Sequence, residues 1–445
     1  MNWEDVSSNT LAPLKASSQP LFGKPSHRPG SPGRWASYLR PIALAVALAS
    51  LPVPAWAISL VEAVNQGLEV HPEVLAAEAE VQSAETRVDI AKDSYWPSLS
   101  MSAGPENILD DSKVGYEITA TQVLYDWGNI GAQVDGASAE YREKLEALKV
   151  TSDEAALDII EIYLDVLAAS ARLNAVEDYE ARLAKLQGLL TDRDTSGYSD
   201  RSESDRATLE VARANEQLSV EMGALDEARQ QFRVLVEASP YDLSQPPFVS
   251  LLETMEQPDR LEQALLDAPA LQRSHAEVDV ARSNLDQSRA KLKPQLNLEG
   301  SLLNREIGGN MEDDQIVALR LRMEPIQGLS NWREVDSARQ RLQAAEWTKS
   351  ATQRDIRRNL DSLLDQRKVI LGRIKQVEQQ ISSSAAVVDT YREQFQAGFR
   401  DIADILSIER ERFEAERQKA DLAIEKYRLE YQAATQLGML GQVLK

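Results

Sequence analysis

One segment of this chain occurs twice. His71 to Met101 reads HPEVLAAEAEVQSAETRVDIAKDSYWPSLSM, and Ala268 to Leu298 reads APALQRSHAEVDVARSNLDQSRAKLKPQLNL. Aligned without a gap, they pair Pro72 with Pro269, Ala79-Glu80-Val81 with Ala276-Glu277-Val278, Ala84 with Ala281, Pro97 with Pro294 and Leu99 with Leu296. The kinship resumes downstream, where Gly197-Tyr198-Ser199-Asp200 answers Gly398-Phe399-Arg400-Asp401. Prolines held at one separation in both copies mark a duplicated supersecondary unit. The fold must therefore be one that two equivalent halves build together.

Within each copy the hydrophobic period changes. Leu60 to Tyr95 has a helical pattern that ends where Pro97 removes a backbone donor. Leu99, Met101 and Ala103 then alternate with serines, and Tyr116, Ile118, Ala120 and Leu124 alternate with Glu117, Thr119 and Thr121. Strands are expected at about 98–104 and 116–124, with Gly104 to Gly115 as a loop. The second copy repeats this at about 296–303 and 315–323, where Val317, Leu319, Leu321 and Met323 oppose Ile316, Ala318, Arg320 and Arg322.

Long helices follow each pair of strands. A pattern from about Leu329 to Phe395 carries an apolar seam at four-three spacing: Ile356, Leu360, Leu363, Arg367, Ile370, Ile374, Val377, Ile381, Ser384, Val388, Tyr391 and Phe395. Only Arg367 and Ser384 interrupt it, which predicts coiled-coil packing over roughly 100 Å. A turn at Ala397-Gly398 leads into a return helix with Leu406, Phe413, Ala420, Ile424, Tyr427, Tyr431 and Ala434 on its seam. The first copy has the same hairpin, from Ile130 to Asp194 and back from Glu203 to Glu237. The expected division is a first repeat at 58–238 with its helical hairpin at about 130–237, a connector at 239–258, and a second repeat at 259–445 with its hairpin at about 329–438. The connector holds four prolines among residues 239–258 and few helical signals.

A formal net charge of -22 argues against nucleic acid as a partner, because such a surface repels phosphate. Cysteine is absent, so disulfides and thiolate metal sites are excluded. Arg34 and Arg40 precede an apolar run, Pro41 to Val53, that ends in Ala55-Trp56-Ala57. That order is the pattern of a secretory signal peptide, expected over 1–57, with a start downstream of Met1 a further expectation. No catalytic constellation is found. The two histidines after the leader, His71 and His275, stand without a nucleophile motif, and Gly308-Gly309 has no following helix that could cradle phosphate. The carboxylates Glu409 and Glu411 read as a solvated helix face.

Two-stranded hairpins with one apolar face cannot leave their edges open in lipid. Four strands are too few to close a barrel, so closure calls for several chains. Tyr95 and Trp96 enter the first hairpin, Tyr125 and Trp127 leave it, and Trp332 lies beyond the second, as an aromatic girdle on one side of a membrane requires.

On these residues the chain resembles the TolC family of outer-membrane efflux and secretion ducts. The resemblance is carried by the two helix-Pro-strand segments, by Val123-Leu-Tyr-Asp-Trp-Gly128 and Pro325-Ile-Gln-Gly328 after the hairpins, and by the glycine-containing helical turns. The stretch from Tyr391 to Leu406, with Glu409, Glu411, Phe413 and Ala415 beyond, is similar to the branch serving type I secretion of adhesins and repeat-in-toxin proteins. The implied fold is mainly α with a membrane β-barrel: a homotrimer with a 12-stranded outer-membrane barrel continuous with a periplasmic coiled-coil tube. The implied partners are outer-membrane lipid, a periplasmic adaptor (membrane-fusion) protein and, indirectly, an inner-membrane ABC transporter, with no cofactor.

By the same resemblance, Pro97, Pro294, Gly128, Pro325 and Gly328 mark helix-to-barrel breaks. Gly197, Glu203, Gly398, Arg400, Asp401 and Asp404 fall at the periplasmic tip, where the gate and adaptor contacts would lie. The first turn departs from the family pattern at Arg201, Glu203 and Ser204. A drug or metal efflux duct shares the implied fold, and a secreted coiled-coil scaffold is the alternative of a different class.

Overall fold

The computed structural model describes residues 58–107, 110–195, 201–240, 243–307, 310–323 and 330–444. The leader expected at 1–57, together with Gly197, Pro325 and Gly328, lies outside the described residues. In chain order the elements are α1 (Leu60–Val70), α2 (Pro72–Asp93), β1 (Ser98–Asn107), β2 (Asp110–Tyr125), α3 (Asn129–Thr195), α4 (Arg201–Val236) and α5 (Leu251–Met255). They continue with α6 (Pro258–Asp267), α7 (Pro269–Lys291), β3 (Gln295–Ile307), β4 (Asn310–Arg322), α8 (Ser330–Gln396), α9 (Ile402–Leu437) and α10 (Leu440–Val443).

The helical pattern from Leu60 to Tyr95 is not one helix. It breaks at His71, whose backbone is extended (φ -71°, ψ 117°) ahead of Pro72. Ala268 does the same ahead of Pro269 (φ -59°, ψ 129°). A proline ring disfavours helical geometry in the residue before it, while proline itself suits the first helical position. The residues that betray the repeat therefore also divide its first helix, in both copies.

The four strands form one antiparallel sheet in the order β1-β2-β3-β4. The expected loop from Gly104 to Gly115 is mostly strand, because pairing continues through Gly104↔Gly115 and Pro105↔Val114. Pro105 is tolerated there because β1 is an edge strand whose register shifts between Pro105 and Asn107. The strands of the second repeat likewise run on beyond their alternating cores, pairing as far as Ile307↔Asn310.

Each long helix, α3 and α8, has 67 residues and spans roughly 100 Å. The seam of α8 is buried: Leu360 and Val388 are almost fully enclosed, and Ile356, Leu363, Ile370, Val377 and Phe395 nearly so. Helix α8 packs on α9, and α3 packs on α2 and α7 as well as on α4 and α9.

The seam's one charge has a partner set. The Arg367 guanidinium contacts Glu253 (3.3 Å) and Glu256 (3.1 Å) of the connector and the buried Glu430 of α9 (3.3 Å). Glu430 also accepts the Leu252 N–H at 2.9 Å. The connector is thus more structured than its prolines suggest. Its short helix α5 buries Leu251, Leu252 and Met255, and the wholly buried Tyr163 and Tyr431 donate hydroxyls to Ser244 O (2.6 Å) and Pro247 O (3.2 Å).

Candidate functional site

The sheet sorts its side chains by chemistry. Leu99 and Met101 of β1, Tyr116 and Leu124 of β2, Leu298 and Leu302 of β3, and Val317, Leu319 and Leu321 of β4 are all exposed, Val317 by 80%. Apart from Leu124, which sits at a bulge, the register places them on one face, with Leu298 opposite Leu319 and Leu296 opposite Leu321. The other face holds Ser98, Ser100, Thr119, Thr121, Asn297, Glu299, Ser301, Arg320 and Arg322. There the 5% exposed Glu299 takes Arg320 at 2.8 Å and Arg322 at 2.6 Å, and the Thr119 and Ser301 hydroxyls meet at 2.8 Å. A sheet that bares one wholly apolar face and gathers its ion pairs on the other is inverted relative to a water-soluble layer, which covers its apolar face. Lipid is the solvent that rewards this arrangement.

The aromatic rim lies where strands meet helices. Tyr95, Trp96, Tyr125, Trp127 and Trp332 are all about half or more exposed. Trp127 and Gly128 both have positive φ, 58° and 86°, and together turn the chain from β2 into α3. A left-handed backbone is unfavourable for a tryptophan, so its surroundings must hold it. The indole N–H donates to Pro294 O at 3.0 Å, Tyr125 packs edge-on at 4.9 Å, and the Lys293 ammonium lies 4.7 Å from the ring. The girdle residue Trp127 and the junction residue Pro294 are thereby brought together from different repeats. Asp126 finishes the turn by accepting the Gly128 and Ile130 N–H groups.

At the far end of the helices the α8–α9 turn is built around Gly398, at φ 80°. Phe399 N–H bonds Gln394 O and Gly398 N–H bonds Phe395 O, the two bonds of a Schellman motif. Asp401 then caps α9, accepting the Ala403 N–H at 2.8 Å. Arg400 donates to Gln394 Oε1 (3.2 Å) and Asp404 Oδ2 (3.0 Å) and lies 4.0 Å from the centre of the Tyr391 ring. Gly398, Arg400, Asp401 and Asp404 therefore form one turn, and Arg400 and Asp404 engage each other within it. Glu203 lies in the first turn of α4.

The region behind this turn holds charges that the sequence reading left in solvent. Glu409, expected on a solvated face with Glu411, is fully buried, whereas Glu411 is exposed. Arg182 of α3 grips Glu409 at 2.8 Å and Glu416 at 2.8 Å, while Arg392 stands 3.7 Å away. Glu210 and Glu221 of α4 are also buried, met respectively by Arg410 and Arg213 and by Arg172 and Arg417. The Glu210 carboxylate raises the Arg410 pKa above its ordinary range by accepting its hydrogen bond. Beneath these pairs Tyr179 stacks on Phe413 at 4.6 Å. Arginines and acids from α3, α4 and α9 thus lock the first helical hairpin to the second.

An outward-apolar sheet on long coiled-coil hairpins defines the fold class of outer-membrane channel-tunnels. CusC has the same fold, with a TM-score of 0.73 at 16% identity over 90% of this chain and 98% of its own. VceC from Vibrio cholerae has a TM-score of 0.72 at 15% identity, covering 85% of this chain and 96% of its own. The Outer membrane efflux protein family model matches residues 63–236 and 261–436, well over half of the chain and one match per repeat. The chain belongs to that family. Outer membrane protein TolC of Vibrio cholerae is similar at 22% identity over 405 residues, 85% of this chain and 90% of that protein.

The protein is therefore an outer-membrane channel with a periplasmic helical tube, and not an enzyme. Channels of this family are trimeric and work with periplasmic adaptor proteins. A secreted coiled-coil scaffold is set aside by this membership.

Proposed function

We propose that three copies close their sheets into a 12-stranded barrel and that the resulting duct exports an unfolded polypeptide, of adhesin or repeat-in-toxin type, in a type I secretion system. The observation that carries the barrel is the inverted sheet, whose edge strands β1 and β4 have no partner strand among the described residues. Edges of that kind in lipid need pairing, and a neighbouring copy offers the complementary edge. The secretion assignment is supported by the resemblance of Tyr391 to Ala415. In this reading the Gly398 turn is the periplasmic tip that meets the adaptor, with an ABC transporter beyond it. Arg400 and Asp404 then hold the tip turn in its closed shape.

A small-molecule efflux duct is the second reading, favoured by the family's description as efflux proteins and by the likeness to CusC. Deleting the gene and complementing it separates the two. Loss of a large secreted protein from the culture medium, with drug and metal tolerance unchanged, is the result expected for secretion. The reverse pattern establishes efflux.

A further inference from the structure

The rim contains a cleft that the channel's transport role leaves unused. About 260 Å³ in volume, it is lined by Asp126, Asn129, Lys291, Lys293, Arg322 and Met323, with Ala290 and Gln295 completing the wall. It lies where α7 gives way to β3 and where β4 ends, at the level of the exposed Trp127. Met323, exposed just past the end of β4 and two residues beyond Leu321, lines the mouth of the cleft. One side of the opening is thus apolar and the other cationic.

Two of the cations have no acidic partner among the described residues. Arg322 is paired with Glu299, but Lys291 and Lys293 form no ion pair among the described residues. Asp126, the one carboxylate among the described lining residues, is occupied in capping the start of α3. In a chain of net charge -22, two unpaired lysines beside an aromatic rim form a local exception. The Asn129 Oδ1 atom is buried nearby without a hydrogen-bond partner among the described residues. An acceptor held out of water in this way is suited to a hydroxyl or ammonium donor.

We infer that this cleft binds the headgroup of an anionic phospholipid of the inner leaflet of the outer membrane, with Lys291 and Lys293 on the phosphodiester and Met323 against the start of the acyl chain. The helical side of the rim faces the periplasm, so the accessible leaflet is the phospholipid one. Lysines at headgroup depth attract anionic lipid, and aromatic residues prefer the same level. Asn129 Oδ1 meets a hydroxyl of a glycerol headgroup. Trp127, fixed by Pro294 O and stacked under Lys293, sets the position of that lysine's ammonium.

The test uses the full-length trimer, purified in detergent and loaded with phosphatidylglycerol, then examined by native mass spectrometry. Wild-type trimers should retain the lipid, and K291A/K293A trimers should retain about tenfold less or lower. K291R/K293R, which keeps the charge, should retain it as wild type does. Neither inorganic phosphate nor glycerol phosphate should displace the lipid, and diacylglycerol should not replace it. Should K291A/K293A fail to give heat-resistant trimers, Lys293→Gln alone serves, with a several-fold loss expected. Equal retention by wild type and the charge-removing variant overturns the proposal, as does full displacement by glycerol phosphate, which would make the cleft a site for soluble anions. Heat-resistant trimer in each sample keeps failure of lipid binding distinct from failure of the channel assignment.

Discussion

The sheet and the helical hairpins obey opposite burial rules. In the hairpins, leucine, isoleucine and valine are enclosed, and the charges that enter the interior arrive with arginine partners, as Glu409 does with Arg182. In the sheet, Val317, Leu319 and Leu321 face outward, and the enclosed side chains are Asn297 and Glu299. One chain thus carries two solvents in its design, water around the tube and lipid around the sheet. The boundary between them falls within a few residues of Trp127 and Pro294.

The largest expected effect comes from breaking the hairpin rule. Arg182→Ala leaves Glu409 buried with only the distant Arg392, a loss of about 3–5 kcal/mol. Thermal unfolding of the helical signal by circular dichroism should register it, and Arg182→Met with Glu409→Leu should recover most of it. An unchanged transition in the single variant would mean that the pair is not enclosed in the assembled protein.

Ile374→Pro should cost about 3 kcal/mol or more, because it removes a helical hydrogen bond in mid-seam. Loss of export and of crosslinked trimer is the readout. Leu319→Arg tests the sheet rule, at about 2–4 kcal/mol per chain if the site faces the lipid midplane. Ala318→Arg, one residue away on the polar face, should assemble far better, as judged by heat-resistant trimer on gels. Equal yields from both would remove the lipid-facing assignment.

The gate reading predicts a change in conductance rather than in stability. Arg400→Ala with Asp404→Ala should raise single-channel conductance in planar bilayers and admit bulky antibiotics to cells, leaving trimer yield intact.

Asp153 sharpens the hairpin rule as its exception. It has no ion pair among the described residues, and burial raises its pKa from 3.8 to about 6. A carboxyl with a raised folded-state pKa stabilises the fold below its unfolded value and loses that contribution as pH rises to about 6. Asp153→Asn should therefore raise the melting temperature at pH 7.5 and leave it nearly unchanged at pH 4. A gain of equal size at both pH values would show that the effect is packing.

Much of this was legible in the sequence, because strand alternation and seam spacing are local signals. The outward face of β4 follows from period two alone, and the enclosed seam of α8 from its four-three spacing. What escaped was set by long-range pairing. Glu409 lies at a seam position, three residues after Leu406 and four before Phe413, and that spacing was the available clue to its burial. Its polarity spoke for solvent, and only the approach of Arg182 from another helix reverses that. Arg367 presented itself as a flaw in the seam until the connector's Glu253 and Glu256 came to meet it. Gly104 to Gly115 had the composition of a loop, yet extended pairing across the hairpin makes most of it strand. The tip turn was readable at Gly398 and Asp401, whose roles are local. Arg400's engagement with Tyr391 depends on how the turn folds back.

The pairing of β2 with β3 has a consequence for how the molecule is made. Ile118 lies beside Leu302 and Thr119 beside Ser301, so the central ladder of the sheet joins residues from opposite repeats. Everything between them, including the whole first helical hairpin, must be synthesised and exported before that ladder can close. Contacts so distant in sequence form late and slowly. During this interval the first strand pair presents Leu99, Met101 and Tyr116 to the aqueous periplasm without its neighbour. An exposed apolar strand pair with open edges is the state most prone to aggregate, and it lasts until β3 arrives.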